Sequence, residues 1–170
     1  MRKGNPLIQK KMIKILFVCL GNICRSPLAE AIFNKKVVDL GLTNKISSDS
    51  AGTSGYHVGD DPDSRTINVA NKHNIPIAHR GQLFTSALGA EFDYIVAMDA
   101  SNFNNVVKVI GASDKIVLMR HFDSLFPDAD VPDPYYGGAD GFEEVYQILD
   151  RSLDGFLDFL KENHPEIKES

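Results

Sequence analysis

Residues 12–41 read MIKILFVCLGNICRSPLAEAIFNKKVVDLG, and the order of chemistry in this stretch decides the fold. Residues 12–18 are apolar except for Lys14, of strand length, and rich in branched and aromatic side chains. The run stops at CLGNICRS, where Gly21-Asn22 suits positive φ. Ser26-Pro27 then reads as a helix start, with Ser26 as cap and Pro27 tolerated in the first turn. The helix is expected to end at Gly41, a left-handed terminator. Strand, tight loop and helix follow one another within thirty residues.

Outward from this unit the pattern recurs. Residues 45–51 read as a second strand, and residues 64–74 as a helix that stops before Ile75-Pro76. Residues 92–98 (FDYIVAM) form a buried strand, residues 101–110 a helix ended by Gly111, and residues 115–119 (KIVLM) a further strand. Residues 120–141 include FPDADVPDPYYGG and predict a long loop, which in a compact domain usually carries function. Phe142, Val145, Ile148, Leu149, Leu153, Phe156, Leu157 and Leu160 fall at helical spacing over residues 142–163. Strands alternating with helices imply an α/β fold, a parallel sheet flanked by helices whose ligand site lies at the carboxyl ends of strands.

The 170 residues suit one domain, expected over residues 12–165, with residues 1–11 as a flexible extension. Those first residues are basic but lack the apolar stretch of a signal peptide, and no apolar run approaches the ~20 residues that span a membrane. A net charge of −5 offers no footprint for nucleic acid. Two cysteines, Cys19 and Cys24, fit a reducing compartment and a cytoplasmic protein rather than a disulfide framework. The histidines at 57, 73, 121 and 164 have no metal-ligand spacing with either cysteine, so no metal or other cofactor is expected.

The loop Cys19-Leu20-Gly21-Asn22-Ile23-Cys24-Arg25-Ser26 has the chemistry of a phosphate cradle. Five residues between cysteine and arginine let successive N–H groups curl inward around an anion. The helix that follows aims its positive end at the same spot, and Arg25 closes the ring with a planar fork. This positive field favours the thiolate, the nucleophilic form of Cys19. Ser26 is placed to hydrogen-bond the sulfur. Cys19 alone would be read as a small buried hydrophobe at a strand end; the strand, the Gly-Asn pair, Arg25 and the helix start together favour catalysis.

The segment VCLGNICRSPLAEAIF resembles the signature of the low-molecular-weight protein tyrosine phosphatases. Asp133-Pro134-Tyr135-Tyr136-Gly137 is similar to that family's acid-bearing loop, and SAGTSGYHVGDDPD and AMDASN match further, so the resemblance spans about residues 12–163. It implies a three-layer, flavodoxin-like fold with a four-stranded parallel sheet and helices on both faces. It also implies metal-free hydrolysis of phosphotyrosine or small aryl phosphates through a phosphocysteine on Cys19. Arg25 would clamp the phosphate and Asp133 would protonate the leaving oxygen, then activate water. A tyrosinate leaving group with a pKa of ~10 needs such an acid. Tyr56, Tyr135 and Tyr136 would wall a deep cleft, Asn22, Ser26 and His79 would brace the loop, and Asp99 would orient Arg25. His79 is equally read as a satisfied core histidine. Cys24 is either a small residue packed under the loop or a partner for a protective bond with Cys19. The expected partners are a phosphotyrosine protein or a small aryl phosphate, not nucleic acid or membrane, with a monomer or weak homodimer sufficient for the chemistry.

Two rival enzymes share this architecture. An arsenate reductase needs relay cysteines downstream of Cys24, and there are none. A protein-arginine phosphatase resembles the chain less, and Ile23 replaces the threonine expected there. A phosphate-binding or redox module without turnover, or a nucleotide-binding module, leaves Cys19, Arg25 and Asp133 without a joint role.

Overall fold

The structure is a computed structural model describing residues 12–168, so the expected extension over residues 1–11 lies outside the described residues. Four strands, β1 (Ile13–Cys19), β2 (Ile46–Gly52), β3 (Tyr94–Ala97) and β4 (Ile116–Leu118), form one parallel sheet in the order β2-β1-β3-β4. The helices are α1 (Arg25–Asp39), α2 (Ser64–Lys72), the single turn α3 (Ser86–Gly89), α4 (Ala100–Ile110) and α5 (Ala139–Asn163). The chain leaves β1 toward β2 on one side and returns to pair β3 on the other. Such a reversal opens a crevice at the carboxyl end of the central strand, and Cys19 ends β1 at that point.

Strand alternation divides the core. Ile13, Ile15, Phe17 and Cys19 face the larger cluster, with the apolar sides of α1, α2 and α5. Leu16 and Val18 face the smaller one, with Phe84, Phe92 and Val106. All eight apolar positions expected along the last helix are buried in α5. Phe17, Phe33 and Phe156 pack through that layer, edge-on and tilted, at centroid separations of 5.5 and 5.8 Å. Each such fully buried side chain stabilises the fold by roughly 1.5–3 kcal/mol. Among the described residues no helix is long and apolar enough to cross a membrane.

Gly41 and Gly111 have φ of 69° and 86°, as expected of terminators. Other expectations are corrected. Ser26 does not cap α1: the cap position is Cys24, without a side-chain bond, and Ser26 lies inside the first turn. Its hydroxyl is engaged at the sulfur of Cys19 instead. The strand expected over residues 92–98 is shortened to Tyr94–Ala97, and the short α3, capped by Thr85, was not anticipated. Residues 120–141 are not loop throughout. A 3-10 turn (Met119–Phe122) opens the segment and α5 takes its last residues.

Buried charge fixes that segment. The Asp123 side chain is wholly buried and accepts from Arg151 Nε at 2.6 Å and Arg120 Nε at 2.9 Å. Arg120 Nη1 also donates to the Asp130 carbonyl, and the Val131 N–H donates to Met98 O at the end of β3. These bonds carry the segment across the carboxyl edge of the sheet, so that Asp133 lines the same cleft as Cys19.

Candidate active site

The loop after β1 curls because a side chain holds it from behind. Asn22 is 1% exposed and has φ of 59°, a left-handed conformation that asparagine tolerates better than most residues. Its amide donates to Ser26 Oγ at 2.8 Å and Ser50 Oγ at 3.0 Å. Its oxygen accepts from the Gln82 N–H at 2.9 Å and from His79 Nε2 at 2.8 Å. The segment after β2 lies against the loop: Thr53 N donates to Cys19 O and Ser54 N to Leu20 O. A Cβ on Gly52 would stand 2.7 Å from Leu20 O, so glycine is required for this approach.

Cys19 Sγ is met by Ser26 Oγ at 3.0 Å and by the Asn22 N–H at 3.3 Å, both suited to holding a thiolate. Arg25 is buried, and Nη1 donates to Asp99 Oδ2 at 2.6 Å and to Val131 O at 3.0 Å. Asp99 also caps α4 through the Asn102 N–H. With Nη1 so anchored, Nη2 stands 3.7 Å from Asp133 Oδ2. Burial works against the Arg25 charge, but Cys19, Asp99 and Asp133 more than offset it and hold its pKa above the ordinary value.

Asp133 is partly exposed, and its Oδ1 accepts the Tyr135 N–H at 3.0 Å in a turn that fixes the carboxyl. A cleft of about 300 Å³ opens between this turn and the cradle. Cys19, Leu20, Gly21, Ile23, Cys24 and Arg25 form its floor, with Asp133 and Tyr135 on one wall. Tyr56 and Tyr136, 91% and 94% exposed, stand at its mouth. Asn22 and Ser26 brace the floor from behind rather than line it. Cys24 is buried, and desolvation, reinforced by Asp63, Cys19 and Asp133, pushes its pKa up to about 12, with Thr66 opposing only weakly. It therefore stays a neutral thiol beside Cys19.

His79 is part of the brace rather than a separate core histidine. Its Nε2 serves Asn22, while Nδ1 lies 3.2 Å from Glu30 Oε1. Burial, aided by Asp49 and opposed by a Ser50 hydrogen bond, raises the Glu30 pKa to about 7. Burial likewise lowers the His79 pKa, against the pull of Asp49. A short contact between Nδ1 and the carboxyl therefore needs one shared proton. Among the described residues, Glu30, Asp49 and His79 are also the group whose donor atoms gather closely enough for a metal, within 4.8 Å of one another. Ser50 already donates to Glu30, and Gln82 to Asp49. Sequence reading missed Ser50, Glu30, Gln82 and the cleft residues Ser54 and His57. No spacing rule links β2, α1 and residue 82 to a loop after β1. The only available signal was the density of polar residues in the otherwise half-buried β2.

Residues 14–166 match the family described as low molecular weight phosphotyrosine protein phosphatase. A curated relative of that name from Schizosaccharomyces pombe is 45% identical over 146 residues, 84% of this chain and 94% of that protein. A crystal structure of a protein tyrosine phosphatase from Entamoeba histolytica, with Hepes in the active site, superposes with a TM-score of 0.84. It is 39% identical and covers 89% of this chain and 98% of its own. The structure of DARP, a drosophila arginine phosphatase, gives a TM-score of 0.81 at 34% identity, over 88% of this chain and 98% of its own.

Proposed function

The chain belongs to the low molecular weight phosphotyrosine protein phosphatase family and is a hydrolase, and from that premise we propose that Cys19, Arg25 and Asp133 carry its chemistry. The observation that carries this reading is the single cleft in which a sulfur held by two donors, an anchored guanidinium and a carboxyl face one space.

A phosphoryl group seated in the cradle has its charge met by Arg25 and by the N-terminal end of α1. Cys19 Sγ attacks phosphorus, forming S–P as the P–O bond to the phenol breaks. Asp133 gives its proton to the departing oxygen, which would otherwise leave as a tyrosinate. Water then enters where the phenol stood. Asp133 takes a proton from it, the new P–O bond forms, and S–P breaks to release phosphate. Ser26 and the Asn22 N–H stabilise the sulfur as it leaves again. Positioning and fixed charge carry most of the acceleration in such transfers.

The substrate is a phosphotyrosine protein or a small aryl phosphate. Tyr56, Tyr135 and Tyr136 give the cleft the depth and the apolar walls that a phenyl ring fills. The chain acts as one phosphatase domain, as a monomer or weak homodimer, in the cytoplasm. Two free cysteines fit that reducing setting. Likeness to an arginine phosphatase keeps phosphoarginine as the second reading. Ile23, an apolar side chain on the cleft floor, favours an aromatic ester instead.

The test is hydrolysis, in chelator, of matched phosphotyrosine, phosphoserine and phosphoarginine peptides by wild type and Cys19→Ser. Phosphotyrosine turnover lost in the variant supports the assignment. A preference for phosphoarginine overturns the substrate class, and turnover by Cys19→Ser overturns the nucleophile.

A further inference from the structure

Arg65, in the first turn of α2, links the two loops that hold the reacting groups. Its Nε and Nη2 grip both carboxylate oxygens of Asp63 at 3.0 and 2.9 Å, a forked pairing that suits a guanidinium and not an ammonium. Asp63 caps α2 by accepting the Arg65 N–H, and its own N–H donates at 2.8 Å to the Ile23 carbonyl in the cradle. On the other side, Arg65 Nη1 donates at 3.3 Å to Gly137 O, in the loop that bears Asp133. The guanidinium also lies over the rings of Tyr135, at 5.5 Å, and Phe142, at 4.6 Å.

The geometry points to Arg65 as a positioning residue for the general acid: it ties the Tyr135–Gly137 turn to the cradle and thereby sets where the Asp133 carboxyl stands above Cys19. The path is short. Tyr135 is held by the guanidinium and donates its N–H to Asp133 Oδ1, so a shift of the ring moves the carboxyl. Arg65 is not among the residues that line the cleft. A surface ion pair of ordinary kind adds little to stability and leaves chemistry alone. Here one side chain joins α2, the cradle through Asp63, the acid loop and α5.

The inference rests on Asp133 being the acid, and its signature is a dependence on the leaving group. An acid matters most when the phenol is weakly acidic and least when it leaves readily unprotonated. The experiment measures kcat/KM of wild type, Arg65→Lys, Arg65→Met and Asp133→Asn on phenyl phosphate and on a nitrophenyl phosphate, with thermal melting of each. Methionine keeps the apolar packing against Tyr135 and Phe142 but lacks the fork, and lysine keeps the charge alone. Both Arg65 variants are expected to lose about tenfold on phenyl phosphate and less than about threefold on the activated ester. Asp133→Asn is expected to show the same bias more steeply. Equal losses of the Arg65 variants on both esters, beside a biased Asp133→Asn, overturn the positioning role alone. An unbiased Asp133→Asn overturns the assignment of the acid and the inference with it.

Discussion

Replacing Asn22 by alanine separates the two things this residue does, shaping the backbone and bonding to its neighbours. The Gln82 N–H and His79 Nε2 lose their acceptor; His79 keeps Ser50 Oγ at 3.2 Å, and the unpaired, part-buried Gln82 donor brings the cost to about 1–3 kcal/mol. Ser26 and Ser50 lose a donor each but keep Cys19 Sγ and Glu30 as partners, so about 1 kcal/mol covers both. An alanine at φ 59° adds about 1 kcal/mol of strain. The sum is about 3–5 kcal/mol of stability. The cradle is the part released, so a share of about 3 kcal/mol appears in the transition state, a loss of roughly 10²-fold in kcat/KM. Asn22→Gly removes the strain but restores no hydrogen bond, and should recover no more than about 1 kcal/mol. Urea unfolding and kcat/KM on a phosphotyrosine peptide, for both variants, read the two quantities. Wild-type activity in Asn22→Gly would show that the network behind the loop is irrelevant and that only φ matters.

Other expectations follow from buried charge and thiol chemistry. Asp123→Asn unpairs Arg120 and Arg151 and should lower stability by about 3 kcal/mol, measured by urea unfolding at neutral pH; an unchanged midpoint would refute the role of Asp123 in pinning the segment. Bonds from Arg151 above all hold the Asp123 pKa far below the usual carboxylate value, so its contribution is present above that value and declines as pH falls toward the folded one. Wild-type stability should therefore fall on acidification more than that of Asp123→Asn. Glu30 has the opposite sign: its pKa is raised from 4.5 to about 7, so its contribution is complete below 4.5 and is lost as pH rises to about 7. Glu30→Gln should gain stability relative to wild type across that window, and a constant difference would exclude the shift. Peroxide should oxidise Cys19 to a sulfenic acid that condenses with the Cys24 thiol, releasing water, and thiols should reverse it. Thiol recovery that persists in Cys24→Ser would refute the bond.

The fold was legible because its signals are local. The apolar run of β1, the glycines closing α1 and α4, and the helical spacing of α5 each lie within one segment. The cradle was legible for the same reason, since Cys19 to Ser26 is one loop. Boundaries failed where tertiary demands override local preference. Ser26 has the chemistry of a cap, yet its hydroxyl is drawn to a sulfur seven residues earlier. The segment 120–141 looked unstructured because its order comes from Arg151 on a distant helix. Asp133 was singled out from Asp123, Asp128 and Asp130 by family resemblance, and its place over Cys19 depends on Asp123 and Met98. Glu30, Ser50 and Gln82 were illegible because they come to Asn22 from three separate parts of the chain, Glu30 only through Ser50 and His79.

If Cys19 is the nucleophile, a covalent phosphoryl group forms on its sulfur, and acid quenching during turnover of a phosphotyrosine peptide traps it. Mass spectrometry of the digested protein should find one phosphoryl group on the peptide containing Cys19 in the wild type, and none in Cys19→Ser, which should also be inactive. Turnover without label on Cys19, or turnover that survives in Cys19→Ser, would exclude Cys19 as the nucleophile.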